Sequence, residues 1–209
     1  IQAIVSGLTG SPYIYQEVID LNNPSEPIRA FEYLPSGDVM EFNYNQVMGN
    51  AFNGCNSGTL SILQTFASGL LPSDRAFIFV DNNDNQRGQG AGGACIVDHR
   101  DTSVYNLAQI FTLAYPYGYP QVMSSYYWDS ADGIDNNNED DNDGPPSTIG
   151  LAGSGPNTLN VYGTSQVAGD VPQNCDSTHY VCEHRRAAIA NMVGFRSVTN
   201  GEPTVLWTN

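Results

Sequence analysis

Two rhythms of apolar residues run through this chain, one of strands and one of helices. Ala76-Phe77-Ile78-Phe79-Val80 is an unbroken apolar run that ends abruptly in Asp81-Asn82-Asn83-Asp84-Asn85. That pattern predicts a parallel strand buried on both faces, with polar groups crowded at its carboxyl end. Tyr13-Ile14-Tyr15-Gln16-Glu17-Val18-Ile19, aromatic and β-branched and preceded by the turn pair Ser11-Pro12, predicts a second strand with a glutamate inside it. Gln121-Val122-Met123, after the breaks at Pro116 and Pro120, predicts a third strand, and Val39 to Phe42 a fourth with a weaker pattern.

Between the strands the apolar spacing changes to three and four. Val104, Leu107, Ala108, Phe111 and Ala114 mark one helix, with Asp101 or Thr102 as its N-cap, and Ile189, Met192, Val193 and Phe195 mark another after Glu183. A further helix is expected within Gly49 to Leu70, its limits blurred by Gly54, Gly58 and Gly69. Strands alternating with helices predict βα units and a parallel sheet. From Asp129 to Asp143 the pattern is lost: Asp129, Asp132, Asp135, Glu139, Asp140, Asp141 and Asp143 are interspersed with Asn136, Asn137, Asn138 and Asn142. The chain stays rich in Gly, Asn, Ser and Thr as far as Asp170, which predicts a long coreless excursion at about 129–170, between Tyr127-Trp128 and the last helix. No internal repeat of fixed period occurs.

Charge narrows the function classes. The 209 residues carry 22 acids against 7 bases, a formal net charge of −15. All the bases are arginines, and so few cannot neutralise a run of phosphates, so neither a nucleic acid nor an anionic membrane surface is expected as partner. No apolar run approaches the ~18 residues of a membrane span. Hydrophobic residues at 40% and aromatics at 11% still suffice for one sizeable core. The length falls short of the roughly 250 residues of a complete (β/α)₈ barrel. Ile1-Gln2-Ala3-Ile4-Val5 has neither an initiator Met nor a basic leader region, which predicts a chain starting in mid-protein. Of the four cysteines, Cys175 and Cys182 flank a short polar loop and are the pair read as locally bridgeable, in an oxidising compartment. Cys55 and Cys95 would pair if the helices around them are neighbours.

Two carboxylates stand out by position. Glu17 lies near the carboxyl end of one predicted strand and Asp84 just after another, the placement that barrel enzymes use for catalysis. Paired carboxylates suit glycoside hydrolysis, in which one donates a proton to the leaving oxygen and another bears charge opposite an oxocarbenium-like transition state. A carboxylate at a strand end is also a common loop or helix cap, so position by itself does not decide between the two.

The surrounding residues go further. Tyr13-Ile14-Tyr15-Gln16-Glu17-Val18-Ile19-Asp20-Leu21, Pro72-Ser73-Asp74-Arg75-Ala76, Phe79 to Gly88 with Gly90-Ala91-Gly92-Gly93-Ala94, Val122-Met123-Ser124-Ser125-Tyr126 and Cys182-Glu183-His184-Arg185 occur in that order. Together they resemble the animal-type α-amylases of glycoside hydrolase family 13, over nearly all the chain except the acidic excursion. The resemblance implies a (β/α)₈ barrel, of which residues 1–209 supply the C-terminal part of the catalytic domain, roughly strands 5 to 8 with their helices. It implies retaining hydrolysis of internal α-1,4-glucosidic bonds in starch and glycogen, by a secreted, extracellular protein that is a monomer at full length. Glu17 matches the general acid/base and Asp84 the transition-state stabiliser. Ile19 and Glu26 fall where the family contacts leaving-group sugars, although Asn22-Asn23-Pro24-Ser25 replaces a shorter glycine pair there.

Three departures qualify the match. The family's nucleophilic aspartate, its companion arginine and its calcium ligands belong upstream of Ile1, so the isolated segment is expected to be inactive. The residue before the stabilising aspartate is histidine in the family and Asn83 here; an amide can donate to a sugar hydroxyl but carries no positive charge. Many animal amylases bind chloride through an Arg or Lys where this chain has Gln121. Asn82, the other anion-site position in this segment, adds no charge, so chloride-independent activity is expected.

A non-catalytic carbohydrate-binding relative is the alternative, and Asn83 is what favours it. Glu139-x-Asp141-x-Asp143-Gly144 resembles the start of a calcium loop, but Gly150 stands where an EF-hand needs its bidentate Glu. A calcium-binding matrix protein would leave Glu17 and Asp84 without a role. His99 and His179 are read as surface residues, Tyr13, Tyr15 and Phe79 as core, and Tyr126 and Trp128 as candidates to stack on a sugar ring.

Overall fold

A computed structural model describes residues 2–20, 24–25, 27–87, 95–125 and 181–202. Its elements, in chain order, are α1 (Gln2–Val5), β1 (Tyr15–Gln16), β2 (Asp38–Met40), α2 (Phe42–Asn53), β3 (Ala76–Phe79), α3 (Thr102–Ala114), β4 (Tyr119–Gln121) and α4 (Ala187–Thr199), with 3₁₀ turns between them. The four strands form one parallel sheet in the order β1-β2-β3-β4. Sequential parallel strands joined by helical crossovers are the winding of a (β/α) barrel, and the sheet is a partial segment of one.

The central strand shows why. Ala76, Ile78 and Val80 point to one side and join Tyr44 and Met48 of α2, Tyr105, Ala108 and Leu113 of α3 and Ile189 of α4 in the main core. Phe77 and Phe79 point to the other side, where Phe79 meets the Phe42 ring edge-on and Tyr15 stacks on Phe77 with centroids 4.1 Å apart. A strand covered on both faces must be apolar at every position, and all four β3 residues are buried.

Strand lengths depart from the sequence pattern. Among the described residues the expected strand over Tyr13 to Ile19 pairs at Tyr15–Gln16, against Asp38 and Val39 of the short β2. The strand expected at Gln121 to Met123 lies two residues earlier, at Tyr119–Gln121. The helix expected within Gly49 to Leu70 is α2, which starts at Phe42 and ends at Asn53 before Gly54 in the left-handed region at φ 69°. Helix α3 spans the expected residues with Asp101 as cap, its carboxylate accepting from the Val104 amide. Leu107 of the expected apolar stripe is exposed, while Tyr105, Gln109 and Thr112 face inward.

Long-range ties hold the crossovers down. Arg196 of α4 donates to the carbonyls of Tyr115 and Gly118, clamping the α3–β4 turn. Cys55 and Cys95 form a disulfide across 40 positions. The same loop lies so close to α2 that a Cβ on Gly49 would sit 1.9 Å from the Cys95 carbonyl oxygen, so only glycine fits there. Cys182 is also disulfide-bonded; Cys175 lies outside the described residues. Closing a loop of this length restricts the unfolded chain by about 4 kcal/mol. Replacing Cys55 and Cys95 together by serine should therefore lower unfolding stability by about 3–4 kcal/mol in non-reducing denaturant titration, and a loss under ~1 kcal/mol would contradict that role.

Candidate active site

All four strands run the same way, so their carboxyl ends share one rim. Glu17 follows β1 directly and is exposed there, while its neighbours Gln16 and Val18 turn inward, Gln16 donating to the Tyr33 carbonyl at 2.9 Å. Beyond it, Asp20 accepts from the Ala30 amide at 2.9 Å and pairs with Arg29 at 3.5 Å, fixing the chain after Glu17. Ile19 is partly exposed between them. Glu26 lies outside the described residues, as do His179, Tyr126, Trp128 and the acidic loop.

Asp84 sits on a turn built by asparagines. The Asn82 side-chain oxygen accepts from the amides of Asp84 at 3.2 Å and Asn85 at 2.8 Å, while the Asn85 side chain accepts from the Asn82 amide at 2.8 Å. Gln86 donates to the Asn82 carbonyl at 3.0 Å. Short side chains that bond their own backbone end the strand in a tight turn, and this one leaves Asp84 half-buried at the rim. The Asn83 amide donates to Asp84 Oδ1 at 2.8 Å, so it holds the carboxylate itself. On the adjacent strand, Gln121 stands level with Phe79, three positions before Asn82.

Other carboxylates at this end are structural. Glu41, after β2, caps α2 by accepting from the Asn43 amide at 3.0 Å and takes the Leu71 amide at 2.8 Å. At the opposite end, Asp38 binds Arg75 and the Tyr13 hydroxyl, both at 2.9 Å.

Beneath the rim lies a group that sequence reading missed. Asp81, His99 and Glu183 are all buried and place one potential ligand atom each within 4.8 Å of the others. His99, expected at the surface, is 6% exposed and lies beside Asp81 and Glu183. Glu183 accepts from the Ser125 amide at 2.8 Å and from the Ser125 hydroxyl, which joins the end of β4 to the start of α4. The Val181 amide also donates to the Ser125 carbonyl at 2.8 Å, so both described flanks of residues 126–180 meet at one point. Burial pushes the Asp81 carboxyl well above its usual range, and the nearby Glu183 charge adds to it. Burial raises Glu183 too, against the opposing pull of its Ser125 bonds and of Arg186.

No protein-family model matches the sequence. Human α-amylase 1B and human pancreatic α-amylase are each 42% identical to it over 94% of its length, and pig pancreatic α-amylase is 40% identical. Wild-type α-amylase I of Eisenia fetida superposes on the whole chain with a TM-score of 0.73 at 35% identity; a mutant of that enzyme in complex with maltohexaose does so with 0.75 at 33%. The chain belongs to the animal-type α-amylase family. It spans about a third of the curated relatives it matches, 36% of each human protein, and 40–41% of the earthworm chains. Within that family the parallel sheet is part of the amylase (β/α)₈ barrel.

Family membership implies calcium, and the donors described do not suit it. Calcium takes six to eight oxygens. Among the described residues only the Asp81, His99 and Glu183 group is arranged to hold a metal, and it offers one nitrogen and two carboxylates in a buried setting. Asn82 and Gln121, the two positions expected at an anion site, both carry neutral amides.

Proposed function

We propose that this chain supplies the acid/base side of a retaining endo-α-1,4-glucosidase site acting on starch-type glucans. The observation that supports it best is Glu17 and Asp84 on one barrel rim, each inside its amylase motif. Glu17 protonates the glycosidic oxygen as the bond to the anomeric carbon breaks, and its carboxylate then removes a proton from the water that releases the sugar. Asp84 bears negative charge beside the ring that becomes oxocarbenium-like. No motif in these residues carries the nucleophile, which we assign to another part of the full-length protein. On the same reading residues 1–209 form the C-terminal part of the catalytic barrel, with about 129–170 as an insertion. Calcium is held by residues outside this chain, and the protein is a secreted monomer. The disulfides support an oxidising compartment.

The test is hydrolysis by a protein containing the whole chain. Starch should be cut internally with α-anomers released first, as read by polarimetry or NMR, and the rate should be the same with and without chloride. Chloride activation would overturn the assignment of Asn82 and Gln121 as a neutral pair. Glucan binding without turnover would favour the non-catalytic relative, for which the Asn83 bond to Asp84 is the observation.

A further inference from the structure

The Asp81, His99 and Glu183 cluster has a chemistry that hydrolysis at the rim does not use. Asp81 is 1% exposed and Glu183 0%, and His99 Nδ1 stands 3.8 Å from Glu183 Oε1. The nearby arginines have other partners as well. Arg186 faces Glu183 while its guanidinium lies over the Tyr105 ring and donates to Asn106, and Arg100 pairs with Asp98 at 2.6 Å. Among the described residues the Tyr105 hydroxyl donates to Asp81 Oδ1 at 3.1 Å, and Oδ2 has no hydrogen-bond partner. A buried carboxylate oxygen with no such partner calls for a cation or a proton.

We propose that Asp81, His99 and Glu183 bind one divalent transition-metal ion of the zinc class, which fastens the end of β3 to the loop before α3 and to the turn that opens α4. An imidazole with two carboxylates suits zinc, which accepts nitrogen and oxygen together and needs few ligands. Ligand atoms around tetrahedral zinc stand about 3.3 Å apart, so side-chain rotations that draw the three atoms together by up to about 1.5 Å complete the site. Outer partners are in place: the Tyr105 hydroxyl orients Asp81, and the Ser125 amide and hydroxyl orient Glu183. Two carboxylates balance the two charges of the ion.

The experiment uses a protein carrying the whole chain, kept in excess calcium so that calcium sites stay filled. Zinc alone is added, unbound metal is removed by gel filtration, and metal content is read by mass spectrometry. The wild type should retain one more equivalent than H99Q or D81N, each of which should bind at that site ~100-fold or more weakly. Cobalt(II) in place of zinc should give visible d–d bands in the wild type that H99Q lacks. A zinc-selective chelator should lower the wild-type thermal midpoint, an arm that needs no variant to fold. Zinc content no higher than in H99Q, or a midpoint indifferent to the chelator, would overturn the proposal and leave a shared proton as the neutralising charge.

Discussion

Glu17→Gln, in a protein containing the whole chain, is expected to lower kcat on starch by about 10²–10⁴-fold while leaving KM within about threefold. Glutamine keeps the shape and hydrogen bonding of the side chain but cannot give a proton to the departing oxygen. Because Glu17 is exposed at the end of β1 and bears none of the described fold contacts, the loss should come without a change in thermal midpoint. The role has a sharper signature than the size of the loss. A substrate with an activated phenolate leaving group needs little protonation, so glycosyl transfer from it should be largely restored in the variant. An equal loss in kcat/KM on starch and on the activated substrate, which reads the bond-breaking step alone, would show that Glu17 is not the acid, and unchanged turnover would remove it from the site.

How much of this was legible depended on whether the signal was local. Strand β3 was read from Ala76 to Val80 because burial on both faces demands an unbroken apolar run. Helix α3 was read from its spacing and its Asp101 cap. The extent of β1 was not legible, since the aromatic stretch from Tyr13 to Ile19 says what can pair and not how long its partner is. In the sheet, Tyr13 and Tyr15 stay about half exposed and β1 keeps two paired residues. Glu17 and Asp84 were legible through their flanking motifs, as candidates whose roles rest on family resemblance. Asn83 is expected to reach a sugar, and only the three-dimensional turn shows that its side chain also donates to Asp84.

The Asp81, His99 and Glu183 group was illegible for a different reason. Its members lie on two connections, Asp81 and His99 between β3 and α3 and Glu183 between β4 and α4, which only the winding of the barrel brings together, and each has an ordinary local reading. Asp81 is one of several polar residues after a strand, His99 has no motif partner, and Glu183 precedes a helix. Chain-distant polar residues leave no periodic trace, so only burial and distance identify them.

Asp84→Asn is expected to reduce kcat by about 10²–10³-fold with little change in KM, again in a protein containing the whole chain. The argument rests on charge, because the turn that positions residue 84 is made by its neighbours. Its backbone amide is held by Asn82, and the Asn83 amide needs only an acceptor oxygen, which an asparagine side chain still offers. Geometry is therefore preserved, and the negative charge opposite the positive charge that develops on the sugar ring is lost. A neutral ground-state substrate gains little from that charge, so binding should stay near wild type while the transition state is destabilised. Asn83 sharpens the expectation: where the resemblance implies histidine, this site has a neutral amide that donates to Asp84, leaving that carboxylate as the charged member of the pair. A loss under about threefold, or a rise in KM that accounts for the whole effect, would make Asp84 a binding residue rather than the transition-state stabiliser.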